Sequence, residues 1–84
     1  MLVYYANSFI KRLKRLPDRV KMEVVQKEKI FRENPSDFRL RTHKLHGELS
    51  GLFAFSINYY YRIIFRINPD SSADFLDIGT HEIY

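Results

Sequence analysis

The chain has 84 residues, of which 45% are hydrophobic, and its formal net charge is +4. This length predicts a single domain over residues 1–84. The absence of cysteine excludes a disulfide framework and a zinc–thiolate site. No apolar run approaches the roughly 20 residues that cross a bilayer, and no basic region precedes an apolar one at the start. We therefore expect neither a membrane segment nor a signal peptide, and a cytoplasmic location.

The positive charge is concentrated in the first half of the chain. Residues 1–46 contain 12 lysines and arginines against 5 acids, a net charge of +7, whereas residues 47–84 contain 2 against 5, a net charge of −3. Such a basic half predicts an anionic partner, either nucleic acid or an acidic protein segment. A pair of ordinary solvated helices would explain the same pattern.

Two helices are predicted in the basic half, after a short strand at residues 2–5. Apolar residues recur there at helical spacing, at Phe9, Ile10, Leu13 and Leu16 and then at Val20, Val24, Val25 and Phe31. Asn7 and Ser8 are candidate N-caps of the first helix, because their side-chain oxygens can accept backbone N–H groups. Pro17 separates the helices, and Pro35 follows the end of the second. We expect a helical hairpin that covers one face of a sheet.

The rest of the chain predicts mainly strands. The expected strands are residues 52–57, 60–67 and 74–78, and residues 38–45 are expected to form a strand or extended chain. Gly47 and Gly51 mark a turn in which glycine permits a positive φ angle. Apolar residues on both faces of the run 60–67 are typical of a central strand. The order βααββββ predicts an α+β fold with an antiparallel-rich sheet of four or five strands and the helical hairpin packed on one face.

Three histidines and one arginine are the candidates for chemistry: His43, His46, His81 and Arg62. His43 and His46 fall in a predicted strand and turn, which does not favour a helical two-histidine metal site, and no phosphate-loop motif is present. Because a buried, unpaired guanidinium is costly, Arg62 must face a partner, water or a ligand. The alternatives are an anion-binding role or a salt bridge with Asp74, Asp77 or Glu82.

Four segments, in this order, resemble the RelE/ParE superfamily of toxins from type II toxin–antitoxin systems. They are Ser-Phe-Ile-Lys-Arg-Leu at residues 8–13, Lys-Leu-His-Gly-Glu-Leu-Ser-Gly at 44–51, Tyr-Arg-Ile-Ile-Phe-Arg-Ile at 61–67, and Ile-Gly-Thr-His-Glu-Ile-Tyr at 78–84. The nearest branches are the YafQ-like and YoeB-like ones. YafQ-type members carry a histidine where His43 stands, and YoeB-type members have an arginine eleven residues after a glycine, as Arg62 follows Gly51. The resemblance implies a RelE/ParE-like toxin domain across nearly the whole chain.

The resemblance also implies an mRNA interferase, a hydrolase that binds and cleaves RNA, commonly on the ribosome, without a metal or cofactor. In that chemistry the RNA 2′-OH attacks the adjacent phosphorus, a base and an acid move the protons, and cations stabilise the phosphorane. The resemblance assigns His43 as general base, His81 as general acid and Arg62 to the phosphate. The substrate-binding residues that it implies are Arg41, Lys44, His46 and Tyr84.

The implied partners are a cognate antitoxin, which could assemble with the toxin as a heterotetramer, and mRNA with ribosomal RNA; no membrane partner is expected. The apolar edge near Phe53 and Phe55 and the basic helices are the expected antitoxin surfaces. One segment departs from the nuclease pattern: Phe53–Ser56 carries no charge, where YafQ-type members have a histidine at the position of Ser56. Two alternatives therefore stay open, a ParE-like DNA gyrase inhibitor and a catalytically inactive antitoxin-binding homologue.

Overall fold

The computed structural model describes residues 1–80. Its elements, in chain order, are β1 (Val3–Tyr5), α1 (Asn7–Lys14), α2 (Asp18–Glu33), a 3₁₀ turn (Phe38–Leu40), β2 (His43–Lys44), a second 3₁₀ turn (Gly47–Leu49), β3 (Phe53–Ser56), β4 (Arg62–Ile67) and β5 (Ala73–Gly79). The predicted α+β class and the order of helices and strands are confirmed. Neither helix in this part of the chain is long and apolar enough to cross a membrane.

The five strands form one mixed sheet in the order β1-β5-β4-β3-β2. β1 runs parallel to β5, and the other neighbours are antiparallel. β4 lies in the middle, and its residues Ile63, Ile64 and Phe65 are all buried. The prediction of a central strand from its apolar residues on both faces is confirmed.

The two helices cover one face of the sheet and enclose the main core. Phe9 of α1 and Phe31 of α2 are almost completely buried. The Phe31 ring lies 5.0 Å from Phe55, 4.9 Å from Phe65 and 5.2 Å from Phe75, measured between ring centroids. Each side chain of this size stabilises the fold by roughly 1.5–3 kcal/mol through burial alone. The helical hairpin is thus held to the sheet mainly by aromatic packing.

A smaller apolar cluster lies on the opposite face of the sheet. Its buried members are Leu45, Ala54 and Ile64, with Leu49, Leu52 and Leu76 packed around them. The chain between β2 and β3 folds back over this face, and Gly47 and Gly51 adopt φ angles of +68° and +92° there. A Cβ atom at either position would meet nothing within 4 Å, so the backbone conformation rather than space requires glycine. The predicted glycine turn is confirmed.

The predicted caps and one predicted core residue of the helices are wrong. Ala6 occupies the N-cap of α1, without a side-chain cap bond, and Ser8 lies inside the helix. The Ser8 hydroxyl donates instead to the carbonyl oxygen of Leu76, which ties α1 to β5. Val25 is 67% exposed, because the neighbouring Val24 takes the inward position. Pro17 precedes α2 as its N-cap residue.

The strand or extended chain expected at residues 38–45 is wrong for residues 38–40 and confirmed at His43–Lys44, which form β2. Its first part is a 3₁₀ turn because the Asp37 side chain accepts a hydrogen bond from the Arg39 backbone N–H, a cap that stabilises the turn. Arg41 then has a φ angle of 51°, which redirects the chain into the short strand β2. β2 pairs with β3 at the sheet edge. Phe55 packs against Phe31 of α2 in the main core and is completely buried, so it cannot dock an antitoxin. The prediction that Phe55 belongs to an exposed edge that docks the antitoxin is therefore wrong.

Candidate functional site

The hairpin turn between β3 and β4 is built by one asparagine. Asn58 Oδ1 accepts the backbone N–H groups of Tyr60 and Tyr61 at 2.8 and 2.9 Å. The Ile57 N–H donates to the Tyr61 carbonyl at 2.9 Å and closes the turn. Asn58 Nδ2 also donates to Glu23 Oε1 of α2 at 3.3 Å. An asparagine that bonds the following backbone can organise a turn without glycine, which explains why the usual glycine signal is missing here.

Arg62, the first residue of β4, completes this turn. Its Nη1 atom donates to the carbonyl oxygens of Asn58, Tyr59 and Tyr61 at 2.9, 3.1 and 3.1 Å. These bonds fix the guanidinium at the end of the sheet.

Two of the carboxylates considered as partners of Arg62 bind other arginines. Asp74 binds Arg66 at 2.7 Å, and Asp77 binds Arg12 at 3.3 Å. Backbone carbonyls hold the Arg62 guanidinium in place, and Glu82, the third carboxylate considered, lies outside the described residues.

A basic cavity of about 280 Å³ opens beside this turn. Its lining residues are Lys27, Arg39, Arg41, Ser56, Ile57, Asn58, Tyr59 and Arg62. The four cations come from α2, from the 3₁₀ turn and the residue after it, and from β4. Of these, Arg41 and Arg62 were predicted as site residues, whereas Lys27 and Arg39 were not. Nothing in the sequence distinguishes Lys27 from any solvated helix lysine, since only the tertiary fold brings it to the cavity.

Acidic groups offset part of this charge. Asp37 accepts hydrogen bonds from Arg39 Nε and Nη2 at 3.0 and 2.9 Å. Hydrogen bonds from the Arg39 side chain and backbone, with a smaller effect of the Lys27 charge, lower the pKa of Asp37 to about 2. Asp37 is therefore ionised at neutral pH and holds Arg39 in one orientation. The four cations still outnumber Asp37 and the nearby Glu23.

His43 lies on the same face of the sheet as Arg62. His43 pairs with Ala54, and Arg62 pairs with Ser56 two residues further along β3. Residues paired across antiparallel strands share a face of the sheet, as do residues two apart on one strand, so His43, Ala54, Ser56 and Arg62 lie on one face. Ala54 belongs to the apolar cluster opposite the helices, so this is the face that points away from them. His43 and Arg62 are separated by two strand spacings across the sheet and by two residues along it, which corresponds to about 12 Å between their Cα atoms.

The His43 ring is oriented by the backbone. Its Nδ1 atom lies 3.3 Å from the carbonyl oxygen of Arg41, which can only accept, so Nδ1 carries the proton of this bond. In a neutral imidazole with that tautomer, Nε2 holds the lone pair. The His43 side chain is exposed.

The cavity lining includes neither His43 nor the predicted binding residues Lys44 and His46. Lys44 pairs with Phe53, so its side chain starts on the opposite face from His43. Lys44 and His46 line a separate depression of about 280 Å³ with Ser50 and Gly51. His81 and Tyr84 lie outside the described residues. Within residues 1–80, no group of three or more His, Cys, Asp or Glu could hold a metal ion.

A larger depression lies between the end of α1 and the end of β5. It measures about 680 Å³ and is lined by Arg12, Arg15, Leu16, Tyr61, Ile78, Gly79 and Thr80. It is broad and shallow, and one of its two arginines, Arg12, is bound to Asp77. Both of its arginines come from α1 and the residue after it, whereas the cations of the smaller cavity converge from three parts of the chain.

No family model and no curated protein matches the chain. Several solved structures match the chain. YafQ from Escherichia coli has a TM-score of 0.80 at 18% identity, over 96% of this chain and 93% of that one. A YoeB/ParE toxin from Agrobacterium tumefaciens has a TM-score of 0.80 at 14% identity, over 96% and 99%. The RelE–RelB complex from Pyrococcus horikoshii has a TM-score of 0.77 at 21% identity, over 94% and 92%. At these identities the likeness concerns the fold, and the chain has the RelE-like α+β fold of these toxins.

Proposed function

We propose that the chain is the toxin of a toxin–antitoxin pair and an endoribonuclease that cleaves mRNA at the ribosome, in the cytoplasm. The observation that supports it best is the placement of His43 and Arg62 on one face of the sheet, on either side of the small residues Ala54 and Ser56. Ala54 is buried beneath the cluster of Leu45 and Ile64, so the surface between the two groups is open only toward the partly exposed Ser56. The fold shared with YafQ, YoeB and RelE supports the toxin role.

The proposed reaction needs no metal. The RNA 2′-oxygen attacks the adjacent phosphorus, and His43 Nε2 takes the 2′-OH proton as general base. The bond from phosphorus to the 5′-oxygen breaks, and His81 donates a proton to that oxygen as general acid. The products are a 2′,3′-cyclic phosphate and a 5′-hydroxyl. Imidazole suits both roles, since it changes protonation state near neutral pH.

Arg62 would stabilise the charge that develops on the phosphorane. Its guanidinium is held by turn carbonyls, so little reorganisation is needed when the charge appears. Removal of one such donor commonly costs about 100- to 1000-fold in turnover. Gly79 pairs with Arg62, and His81 is two positions after Gly79 in the sequence. This short spacing supports the assignment of His81 to the same phosphate.

The proposed partner is a cognate antitoxin. RelE from Pyrococcus horikoshii is seen in a complex with RelB, and YoeB from Staphylococcus aureus in a complex with YefM. By analogy with those pairs, we expect this chain to bind a partner protein, and a heterotetramer is one assembly it could form. Size measurement of the co-expressed pair would establish the stoichiometry.

The uncharged β3 strand favours a second candidate function. Ala54 and Ser56 occupy the face between His43 and Arg62 and provide neither an acid nor a base. A ParE-like DNA gyrase inhibitor, or an inactive antitoxin-binding homologue, would need none. A gyrase inhibitor would cause DNA damage and filamentation while leaving mRNA intact, and its toxicity would not depend on His43 or His81.

The test is to induce the chain in a bacterial host and to map new mRNA 5′ ends by primer extension. We expect cuts within minutes, and their loss with His43→Ala, His81→Ala and Arg62→Lys. Arg66→Lys is the matched control, because Arg66 lies on the same strand and binds Asp74 at the surface. Equal cutting by wild type and both histidine variants would refute the catalytic assignment. Intact mRNA with a DNA damage response would favour the gyrase candidate.

A further inference from the structure

Two tyrosines at the tip of the β3–β4 turn are unusually exposed. Tyr59 is 82% exposed and Tyr60 is 66% exposed. Their ring centroids lie 5.2 Å apart with an interplanar angle of 83°, so the two rings present faces in different directions. The backbone that carries them is fixed by Asn58 Oδ1 and by Arg62. The turn therefore displays two aromatic faces on a rigid support, and neither contributes to the core.

These rings adjoin the basic cavity. Tyr59 itself lines the cavity together with Lys27, Arg39 and Arg41. Arg39 and Arg41 are exposed and Lys27 is half-buried, so these cations are accessible beside the aromatic rings. Proteins that bind single-stranded nucleic acid combine these two features, cations along the backbone and aromatic rings on which bases stack.

Building on the RNA substrate proposed above, we propose that this turn and cavity form a binding subsite for single-stranded RNA. Lys27 and Arg41 contact backbone phosphates in the cavity, and Tyr59 and Tyr60 stack on unpaired bases. The subsite extends the substrate path beyond the phosphate at His43 and Arg62. It involves residues that take no part in the proposed proton transfers.

The chemistry favours single-stranded RNA over other anionic partners. Bases in an A-form duplex are stacked inside and cannot meet a tyrosine face, whereas unpaired bases can splay onto one. A cavity of about 280 Å³ accommodates a phosphate and ribose but not a duplex. An acidic protein segment would use the cations, but the two open aromatic faces beside them would contribute little to binding carboxylates.

The test measures binding without chemistry. The probe is a 3′-fluorescein 2′-O-methyl RNA of about eight mixed-sequence nucleotides, in which the blocked 2′-oxygen cannot attack. Fluorescence anisotropy with the purified chain gives the Kd at several salt concentrations. We expect Tyr59→Ala and Tyr60→Ala each to raise the Kd roughly five- to 150-fold, the range for loss of one base–aromatic stack. Lys27→Gln and Arg41→Asn should each reduce the slope of log K against log salt by about 0.7.

Two control variants distinguish binding at the subsite from nonspecific effects of positive charge and of exposed aromatic rings. Lys29→Gln removes an exposed lysine two positions further along α2, on a different side of the helix. Tyr4→Ala removes a tyrosine that is 52% exposed on β1. Both should bind the probe as wild type does. Circular dichroism of every variant checks folding, and Asn at position 41 tolerates the positive φ angle found there.

Each outcome decides the proposal. Wild-type binding that is unaffected by the tyrosine and cation variants would overturn it, as would no binding of the octamer. Binding of a glutamate-rich peptide at the same residues in place of the octamer would assign the cavity to an acidic protein segment. A chain that binds the octamer through these residues yet leaves mRNA intact would keep the subsite and refute the nuclease. Histidine-dependent mRNA cutting with unchanged octamer binding in the tyrosine variants would refute the subsite alone.

Discussion

Asn58→Ala is the substitution that most sharply tests how the site is supported. It removes the acceptor of two backbone N–H groups, those of Tyr60 and Tyr61, and the donor to Glu23. A net intramolecular hydrogen bond contributes about 0.5–1.5 kcal/mol, and the two turn bonds therefore account for about 1–3 kcal/mol. For a domain of this size each kcal/mol lowers the Tm by about 4–8 °C. Asn58→Asp keeps the acceptor but places a carboxylate beside Glu23, so we expect a smaller loss of stability than for Ala.

Urea unfolding followed by circular dichroism measures these free energies. Asn7→Ala is the matched control, because Asn7 is exposed in the first turn of α1 and makes no cap bond, and its change should stay within about 0.5 kcal/mol. Asn58→Ala should also weaken octamer binding, since it loosens the turn that carries Tyr59 and Tyr60 without changing the net charge. The role of the Asn58 Oδ1 acceptor would be refuted if Asn58→Ala had the same unfolding free energy as Asn7→Ala. It would also be refuted if Asn58→Asp were as destabilised as Asn58→Ala.

Three further predictions concern stability and ionisation. Phe31→Ala should lower the unfolding free energy in urea by about 3–5 kcal/mol because it opens a cavity among stacked rings, whereas Phe38→Ala, at a residue 86% exposed, should change it little. Gly51→Ala should cost about 1–3 kcal/mol, because φ is +92° there, and an unchanged Tm would contradict this strain. The lowered pKa of Asp37 stabilises the folded state above pH 4, and this contribution is lost as pH falls toward about 2. Carboxyl NMR titration should show the Asp37 midpoint rising toward 3.8 in Arg39→Gln, and an unchanged midpoint would exclude the Arg39 bonds as its cause.

The order and type of the main elements could be predicted because periodicity reports burial. The helical spacing up to Phe31 and the two-faced apolar run through Ile63 and Ile64 gave the helical hairpin and the central strand. Side-chain hydrogen bonds to nearby backbone decided the places where periodicity failed. Asp37 caps a 3₁₀ turn where a strand was expected, and Ser8 bonds the carbonyl of Leu76 instead of capping its own helix.

The candidate site was predicted only in part, because its members meet through tertiary structure. Arg62 and Arg41 could be singled out, one as a cation within an apolar run and the other through the family resemblance. Lys27 reaches the same cavity from α2, more than thirty residues before the turn, and no local pattern marks it. Lys44, adjacent to His43, starts on the opposite face because successive strand residues alternate.

We propose that the chain cuts mRNA through the 2′-hydroxyl of the nucleotide before the broken bond. The most direct measurement uses ribosomes programmed with a short mRNA and a second mRNA that carries one 2′-deoxynucleotide at the mapped cut. We predict cleavage of the first, with a 2′,3′-cyclic phosphate end, and none at the substituted nucleotide of the second. Cutting at the 2′-deoxynucleotide at an equal rate, or a 3′-hydroxyl end on the product, would contradict the proposed chemistry.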